Sequence, residues 1–241
     1  MHRSSRPHRV GESTAGFDHE VLAAVLQVRP TADGPAAVHV LLWQRAQQPE
    51  AGHWALPGGR LGACEDLGAS IRRQLAEKVD VRELSHLEQV ESLGDPGRVP
   101  GTRTLATSYL GLVPGGVAPG LPDDTCWHPA DALPAMAFDH ALIVEAARRR
   151  LRSKLSYTNL GFALAPPTFT MSELATYYRA ALGHDVDATN LQRILLRRQQ
   201  IVATGERLRP GPAGGRPAAV FRFRSPALQV TDAFAVLHPP R

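Results

Sequence analysis

The segment GHWALPGGRLGACEDLGASIRRQLAEKV, at residues 52–79, restricts the possible folds of this chain more than any other. Its opening residues favour a short strand, the glycines that follow favour a loop, and the remainder favours a helix. The helix is amphipathic, because Leu67, Ile71, Leu75 and Val79 recur every four positions along one side. A strand, a glycine-rich loop and an amphipathic helix in succession predict a helix packed on a sheet, and therefore a mixed α/β domain.

Four apolar runs around this segment supply the rest of a sheet. VLAAVLQV and VHVLLWQR precede it, while HLEQVESL and TLATSYLGLV follow it, with turn-rich sequence between the runs. A helical segment with a basic end, AFDHALIVEAARRRLRSKL, comes next. We therefore predict a flexible N-terminal tail at residues 1–18, an α/β domain at residues 19–138 and a connecting helix at residues 139–155.

The C-terminal third of the chain has the pattern of two capped helices and a hairpin. Thr170 and Glu173 have the spacing of a capping box, and Asp187 can cap a second helix that starts ATNLQRILLRR. The segment IVATGERLRPGPAGGRPAAVFRFR favours a β-hairpin with a Pro/Gly-rich tip. Helix, turn, helix and hairpin in this order resemble a winged helix-turn-helix, which we place at residues 156–226, followed by a C-terminal tail at residues 227–241.

This C-terminal module has the charge and the side chains of a DNA-binding domain. Residues 151–241 carry 12 Lys and Arg against 5 Asp and Glu, a net charge of +7, whereas residues 1–150 have a net charge of −3. Such an excess favours a polyanionic partner, and amide and guanidinium groups suit base edges and phosphates. The candidate DNA-binding residues are Thr189, Asn190, Gln192, Arg193, Arg197, Arg207, Arg209 and Arg216. The alternative is that these residues form only a solvated helix face and a charged hairpin.

A spaced motif runs through the segment at residues 52–79. Gly59, Glu65, Arg73, Glu77 and Val81 follow the spacing of the Nudix box, G-x5-E-x7-R-E-U-x-E-E-x-G-U with U apolar, and WALPGG is similar to the family's lead-in. This resemblance implies a Nudix-like α/β/α sandwich with a mixed sheet. In Nudix hydrolases the glutamates of the box hold magnesium ions that bridge a diphosphate.

Three positions depart from the Nudix box. Gln74, Lys78 and Asp80 stand where the pattern has Glu, Glu and Gly. Magnesium requires hard anionic oxygen ligands, and we expect the Lys78 ammonium, about 5–6 Å from Glu77, to pair with that carboxylate and repel a divalent cation. We therefore predict that catalysis is lost or very weak, and we assign no catalytic residue and no metal ligand.

The altered helix can still bind a ligand, because Lys78 can supply positive charge directly to a pyrophosphate. We expect the effector-binding residues on the box or beside its glycines, at Arg45, Arg60, Arg73, Glu77 and Lys78. Two alternatives stay open: the helix is purely structural, or weak hydrolysis persists with acids from elsewhere. The candidate acids for such hydrolysis are Glu65, Glu88 and Glu91.

A degenerate Nudix domain joined to a basic winged helix resembles the NrtR family of Nudix-related transcriptional regulators. The resemblance covers about residues 20–226 and rests on WALPGG with the altered box, EQVESLGDPGR, AFDH, FTMSEL and DATNLQR. Leu191 departs from the family, in which an aromatic residue often follows the asparagine. The resemblance implies a homodimeric bacterial repressor of NAD biosynthesis or salvage genes, released from a palindromic operator in double-stranded DNA by ADP-ribose or a related NAD-derived nucleotide, with no required cofactor.

Two other functional classes fit parts of the sequence. One is an active Nudix hydrolase of a nucleotide-sugar diphosphate such as ADP-ribose, with the C-terminal module as an accessory domain; Gln74 and Lys78 argue against it. The other is a nucleotide-binding module with RNA as its partner, which would need exposed aromatic residues for base stacking. Phe221 and Phe223 are instead expected to point toward the core by strand alternation.

Hydropathy and cysteine usage indicate a cytoplasmic protein with no membrane partner. The sequence has no run of about 18 apolar residues, which a membrane-spanning helix requires. Cys64 and Cys126 are too few for a disulfide framework and lack the spacing of a zinc site. We expect both to be reduced thiols.

Overall fold

The computed structural model describes residues 16–31, 34–208 and 217–232. The strands in these ranges are β1 (Asp18–Arg29), β2 (Ala37–Gln44), β3 (Trp54–Ala55), β4 (Gly58–Arg60), β5 (His86–Leu93), β6 (Thr104–Leu112), β7 (Thr125–Pro129), β8 (Phe169–Thr170), β9 (Ile201–Leu208) and β10 (Ala218–Phe223). The helices are α1 (Leu67–Lys78), α2 (His140–Tyr157), α3 (Met171–Leu182) and α4 (Ala188–Arg197), with a 3₁₀ turn at Leu160–Ala163.

The first seven strands form one mixed sheet. Its main order is β3, β2, β1, β6, β5, with β4 also paired to β1 and β7 to β2. β1 and β6 run parallel, whereas the neighbouring pairs β1–β2 and β5–β6 run antiparallel. β1 lies at the centre of the sheet and is buried on both faces, which explains why its sequence is continuously apolar.

Helices cover both faces of this sheet. Side chains of a strand alternate between faces, so β1 contributes to two separate cores. The core under α1 contains Val21, Ala23, Val25, Ile71, Leu75 and Val79. The core under α2 contains Leu22, Ala24, Leu26, Ile143, Ala147 and Leu151. The predicted α/β/α sandwich with a mixed sheet is confirmed.

The C-terminal residues form the predicted winged helix-turn-helix. Thr170 and Glu173 make both bonds of a capping box at the start of α3, and Gly183 ends that helix in the left-handed conformation with φ 77°. The β8, β10 and β9 strands form a three-stranded sheet in that order. The expected strict alternation along β10 is wrong, because a register shift between Ala219 and Phe221 turns both Val220 and Phe221 inward.

The two domains share one hydrophobic core. The core under α2 continues without a break through Leu174 of α3, Leu195 of α4 and Phe221 of β10. Residues 227–232, which the sequence assigns to the C-terminal tail, pack on this region: the Asn159 N–H donates to the Gln229 carbonyl at 3.1 Å. The α2 helix therefore packs on the winged helix domain through shared apolar side chains.

Within the described ranges, every helix is too short or too polar to cross a membrane.

Candidate functional site

A cavity of about 390 Å³ opens at one end of the mixed sheet, where β1, β2, β4, the end of α1 and the start of α2 meet. This volume lies in the range of sites for small molecules. The side chains that give the cavity its polar and aromatic character are Glu20, Trp43, Arg45, Gln47, Lys78, Phe138 and His140. Glu20 is the only acid among the cavity-lining residues that the structure describes, so two cations outnumber it.

Lys78 provides the positive charge at the floor of the cavity. Its Nζ donates to the carbonyl oxygen of Gly58 at 2.6 Å and lies 5.8 Å from the centroid of the Trp43 ring. Partial burial and the nearby positive charge of Arg73 lower the pKa of Lys78 from its ordinary value. The expected ion pair of Lys78 with Glu77 is wrong, because the Glu77 carboxylate lies 3.0 Å from the Arg73 guanidinium instead.

Two glycines beside Lys78 stand where the structure has no room for a side chain. Gly58 has φ 152°, and a Cβ atom there would collide with the carbonyl oxygen of Val21. A Cβ atom on Gly59 would lie 2.8 Å from Gln74 Oε1 and 2.9 Å from Lys78 Nζ. Gly59 therefore leaves the space that the Gln74 and Lys78 side chains fill, whereas Gly58 allows the close approach of its own strand to β1.

The acids of the box are engaged by an arginine. Glu65 accepts hydrogen bonds from Arg73 Nε at 2.9 Å and from the Gly62 N–H at 2.7 Å. The bonds from Arg73, with that from Gly62, lower the pKa of Glu65 to about 2. Gln74 is buried, and its amide donates to the Arg60 carbonyl at 3.3 Å. Among the described residues, no three His, Cys, Asp or Glu side chains are placed to bind a metal ion together.

Aromatic rings form the upper wall of the cavity. The guanidinium carbon of Arg45 lies 4.9 Å from the centroid of Phe138 and 6.0 Å from that of Trp43, so the cation lies near both rings. Arg45 Nε also donates to the Pro49 carbonyl at 3.1 Å. The Trp43 indole N–H donates to the Leu56 carbonyl at 3.1 Å, which fixes the ring orientation.

His140, the first residue of α2, lines the cavity with a neutral imidazole ring. Its Nδ1 accepts the backbone N–H of Leu56 at 3.0 Å, so the neutral ring carries its proton on Nε2. Burial lowers the pKa of His140 to about 4, with the nearby Arg98 and Arg45 charges acting in the same direction. His140 therefore stays uncharged at neutral pH.

We expect the buried His140 to make the free energy of unfolding depend on pH. Its folded pKa of about 4 lies below the ordinary value of 6.5. Between these values the unfolded chain binds a proton that the folded chain does not, so the stabilisation is complete above pH 6.5 and is lost as pH falls toward 4. We expect the free energy of unfolding to fall by about 3 kcal/mol from this group alone.

Urea denaturation at several pH values between 7 and 4 checks this expectation. The His140→Gln variant should lose less stability over this range than the unmodified chain. His184→Gln, which replaces an exposed histidine, is the matched control and should not change the slope. Parallel curves for the unmodified chain and His140→Gln would contradict the assignment.

A buried arginine lies directly behind the cavity. Arg98 Nη1 donates to Glu20 Oε1 at 2.6 Å, while its Nε and Nη2 donate to the two carboxylate oxygens of Asp139 at 2.9 and 2.8 Å. Its side chain is 1% exposed. Glu20 lines the cavity and Asp139 immediately precedes α2, so the arginine joins the cavity to that helix.

The structure distributes the five predicted effector-binding residues over two places. Arg45 and Lys78 line the cavity. Arg73 and Glu77 pair with one another outside the cavity. The exposed Arg60 guanidinium lies 2.7 Å from the Asp18 carboxylate. The further acids named as candidates for hydrolysis lie elsewhere: Glu65 pairs with Arg73, Glu88 lies 3.1 Å from Lys154, and Glu91 borders a different groove.

Sequence reasoning missed five polar or aromatic residues of the cavity wall. They are Glu20, Trp43, Gln47, Phe138 and His140. The AFDH motif contained a signal for the last two, because an aromatic residue just before a helix and a histidine at its first position can both border a site at the helix N-terminus. Glu20 and Trp43 lie within apolar strands, where a sequence pattern gives no indication of which strand end borders a cavity.

The second candidate surface is the exposed face of α4. Asp187 caps this helix, Leu191 and Leu195 bury one side of it, and the opposite side is left in solvent. The exposed residues on that side are Thr189, Asn190, Arg193, Leu196 and Arg197. Gln192 is half-buried. Asn190 Oδ1 accepts a hydrogen bond from Arg193 Nη2 at 2.7 Å, which orients the guanidinium on the helix surface.

The hairpin beside α4 supplies a further cation. Arg207 is exposed near the end of β9 and donates to the Pro217 carbonyl at 3.5 Å. Arg209 and Arg216 lie outside the described residues. Phe221 is buried and Phe223 is half-buried, with its ring 5.3 Å from that of Phe169, so the expectation that both rings point toward the core is confirmed.

Two family models match the chain. The first, described as the NUDIX domain, matches residues 19–147. The second, described as the NrtR DNA-binding winged helix domain, matches residues 161–223. A curated relative from Acinetobacter baylyi, named as an ADPR responsive transcriptional repressor NtrR, is 33% identical over 202 residues, which cover 81% of this chain and 78% of the relative.

Solved structures of similar architecture include NrtR from Shewanella oneidensis. It superposes with a TM-score of 0.69 at 30% sequence identity and covers 86% of this chain and 94% of its own. The same protein in complex with a 27mer DNA gives a TM-score of 0.69 at 29% identity, covering 86% of this chain and 93% of its own. The similarity therefore includes both domains.

Proposed function

Because this chain belongs to the NrtR family of Nudix-related transcriptional regulators, we propose that it is a DNA-binding repressor whose Nudix domain senses ADP-ribose or a related NAD-derived nucleotide. One observation carries the proposal: the cavity and the helix that leads to the winged helix domain share residues. His140 lines the cavity and is the first residue of α2, and Phe138 lies two positions before it. A ligand in the cavity therefore contacts the element that positions the DNA-binding domain.

The donor groups of the cavity suit a nucleoside diphosphate. Lys78 and Arg45 are cations that can accept the charge of a pyrophosphate, and His140 Nε2–H adds a neutral donor. Trp43 and Phe138 supply flat apolar surface for a base, and the Glu20 carboxylate can accept a hydrogen bond from a ribose hydroxyl. This combination of cations, rings and one acid supports an ADP-ribose-like effector.

Magnesium-dependent hydrolysis does not fit the same residues. The ammonium of Lys78 stands on the helix face where the Nudix box has a metal-binding glutamate, and Gln74 offers a neutral amide. Glu65 and Glu77 are already paired with Arg73. A divalent cation would meet positive charge and neutral donors where it needs several anionic oxygens. We therefore propose that the nucleotide is bound without being cleaved and that no resident cofactor is required.

The DNA-binding part of the proposal rests on α4. Its exposed face can enter a major groove with Asn190 and Arg193 toward base edges, while Arg197 and Arg207 reach phosphates. A single winged helix reads few base pairs, and two copies related by a two-fold axis match a palindromic site. We propose that the protein acts as a homodimer on a palindromic operator of NAD biosynthesis or salvage genes.

Fluorescence anisotropy with labelled duplexes from upstream of the chain's own gene and its neighbours tests the proposed function. We expect tight, sequence-dependent binding that weakens at higher salt, because phosphate contacts release counterions. Addition of ADP-ribose should release the DNA whether or not magnesium is present, and the ADP-ribose should be recovered intact. A scrambled duplex of the same length is the control.

Two results would overturn the proposed function. Equal affinity for the specific and scrambled duplexes would remove the regulator assignment. Consumption of ADP-ribose in the presence of magnesium would show an active Nudix hydrolase and contradict the interpretation of Gln74 and Lys78.

A further inference from the structure

Arg98 is the most deeply buried ion-paired arginine among the residues that the structure describes. It makes three charge-assisted hydrogen bonds, one to Glu20 and two to Asp139. Its cationic group is shared between two carboxylates that belong to different parts of the molecule. Glu20 lies on β1 and lines the cavity, whereas Asp139 lies at the N-terminus of α2.

The bond to Asp139 is geometrically specific. The Nε and Nη2 atoms of Arg98 meet the two oxygens of one carboxylate, which is the bidentate arrangement that fixes both distance and orientation. Asp139 occupies the N-cap position of α2 but makes no side-chain capping bond there. An aspartate at this position ordinarily accepts a hydrogen bond from the first helical turn. Its carboxylate is turned to Arg98 instead.

The residues on either side of Asp139 both line the cavity. Phe138 has φ 51°, a left-handed conformation that is strained for a residue with a bulky side chain. His140 is held by the hydrogen bond from the Leu56 N–H. The backbone before α2 is therefore held at three consecutive residues, by the Arg45 contact to Phe138, by Arg98 on Asp139 and by Leu56 on His140.

We propose that Arg98 is a positioning residue that couples occupancy of the cavity to the position of α2; the inference rests on the proposed function. A bound nucleotide whose hydroxyl donates to Glu20 competes with Arg98 for that carboxylate. A buried guanidinium that loses one of its two partners is destabilised, so Arg98 and Asp139 move together to restore its hydrogen bonds. Asp139 then carries the first turn of α2 with it.

The length and attachment of α2 turn this local shift into movement of the winged helix domain. The helix has 18 residues, which span about 27 Å. Its C-terminal end continues through the 3₁₀ turn into α3, and Leu151 and Leu155 lie in the core that contains Leu174 of α3. A tilt that begins at Asp139 therefore displaces the DNA-binding domain through packed side chains.

The Asp139→Asn variant tests the coupling. The amide is close in size to the carboxylate but removes the charge that Arg98 recognises and supplies one acceptor oxygen where Asp139 supplies two. Asp139 does not line the cavity of about 390 Å³, and it lies outside the candidate DNA-binding surface. Asp18→Asn is the matched control, because Asp18, the first residue of β1, also pairs with an arginine, but its partner Arg60 has an exposed side chain.

Two quantities are measured for each protein: ADP-ribose affinity by calorimetry, and operator affinity by anisotropy with and without saturating ADP-ribose. The ratio of the two operator affinities is the coupling, which is typically about 5–150-fold in allosteric proteins. We expect Asp139→Asn to bind ADP-ribose and operator separately but to show a ratio of about 1. Asp18→Asn should keep the ratio of the unmodified chain.

Each other outcome has a defined meaning. An unchanged ratio in Asp139→Asn overturns the role of Arg98, and loss of ADP-ribose binding in that variant overturns it too, because Asp139 would then shape the cavity itself. If Asp139→Asn does not fold, Arg98→Lys is measured by the same criteria, since a lysine cannot bridge both carboxylates with a planar fork. A ratio of 1 in the unmodified chain would instead refute the proposed function.

Discussion

Replacing Arg193 by alanine is expected to weaken binding to the specific operator by roughly 5–150-fold, because a bidentate arginine contact to a base is worth about 1–3 kcal/mol. Arg193 is exposed on α4, and the Asn190 side chain accepts a hydrogen bond from its guanidinium at 2.7 Å. Asn190 thereby restricts the conformations of Arg193 before DNA arrives, which lowers the entropy lost on binding. Anisotropy with the operator and with a scrambled duplex measures the change.

The pattern of loss separates base reading from simple charge. Replacing a residue that reads a base lowers affinity for the operator more than affinity for the scrambled duplex. Replacing a residue that contacts only phosphate lowers both affinities similarly. Arg72→Ala is the matched control, since Arg72 is an exposed arginine on α1 and lies outside the winged helix domain. Equal losses on both duplexes would mean that Arg193 contacts only the backbone.

Replacing Lys78 by alanine is expected to reduce ADP-ribose affinity by roughly 10–150-fold, because a hydrogen bond to a charged group contributes about 1.5–3 kcal/mol. Lys78 is one of two cations that line the cavity, and its ammonium is held at the floor by the Gly58 carbonyl. The Gly58 carbonyl holds the ammonium beside the glycine loop before the ligand arrives, so less conformational entropy is lost when a pyrophosphate binds. Isothermal calorimetry without magnesium measures the affinity.

Lys154→Ala provides a matched control for Lys78→Ala. The chain has only these two lysines, and Lys154 lies on α2, where it pairs with Glu88. Its replacement should leave nucleotide affinity unchanged. Equal affinity of the Lys78→Ala variant and the unmodified chain would refute the role of Lys78 and favour the alternative that α1 is purely structural.

These predictions follow a chain of contacts from ligand to DNA. Lys78 and Arg45 carry the charge of the cavity, Arg98 joins the cavity to α2, and α2 shares its core with α3 and α4. Each step depends on a different physical interaction, so each can be removed without removing the others. The variant that loses nucleotide binding, coupling or DNA binding therefore identifies which of these steps depends on the replaced residue.

Local patterns in the sequence predicted the elements well. The capping box of Thr170 and Glu173 and the N-cap at Asp187 both form as expected. The apolar spacing of α1 placed Ile71 and Leu75 in the core. These features depend on interactions between residues a few positions apart, which the sequence states directly.

The pairing of charged side chains was harder to predict. The spacing of Glu77 and Lys78 suggested an ion pair, but each found a better partner: Arg73 one turn earlier on α1 for the glutamate, and the Gly58 carbonyl across the loop for the lysine. Adjacent residues on a helix point in directions about 100° apart, so they do not face each other. The packing of the glycine loop against α1 places the Gly58 carbonyl within hydrogen-bond distance of the Lys78 ammonium.

The sequence by itself determined that this chain is a Nudix-like sandwich followed by a winged helix, and that Gln74 and Lys78 stand where the Nudix box has glutamates. Only the tertiary structure decided that Trp43, Phe138 and His140 meet in one cavity, and that Arg98 joins Glu20 to Asp139. Arg98 is separated by 78 positions from Glu20 and by 41 from Asp139. Many acids along the chain could pair equally well with an arginine by chemistry alone. Strand order and helix packing decide which two lie close enough to do so, and a sequence pattern does not report contacts over such separations.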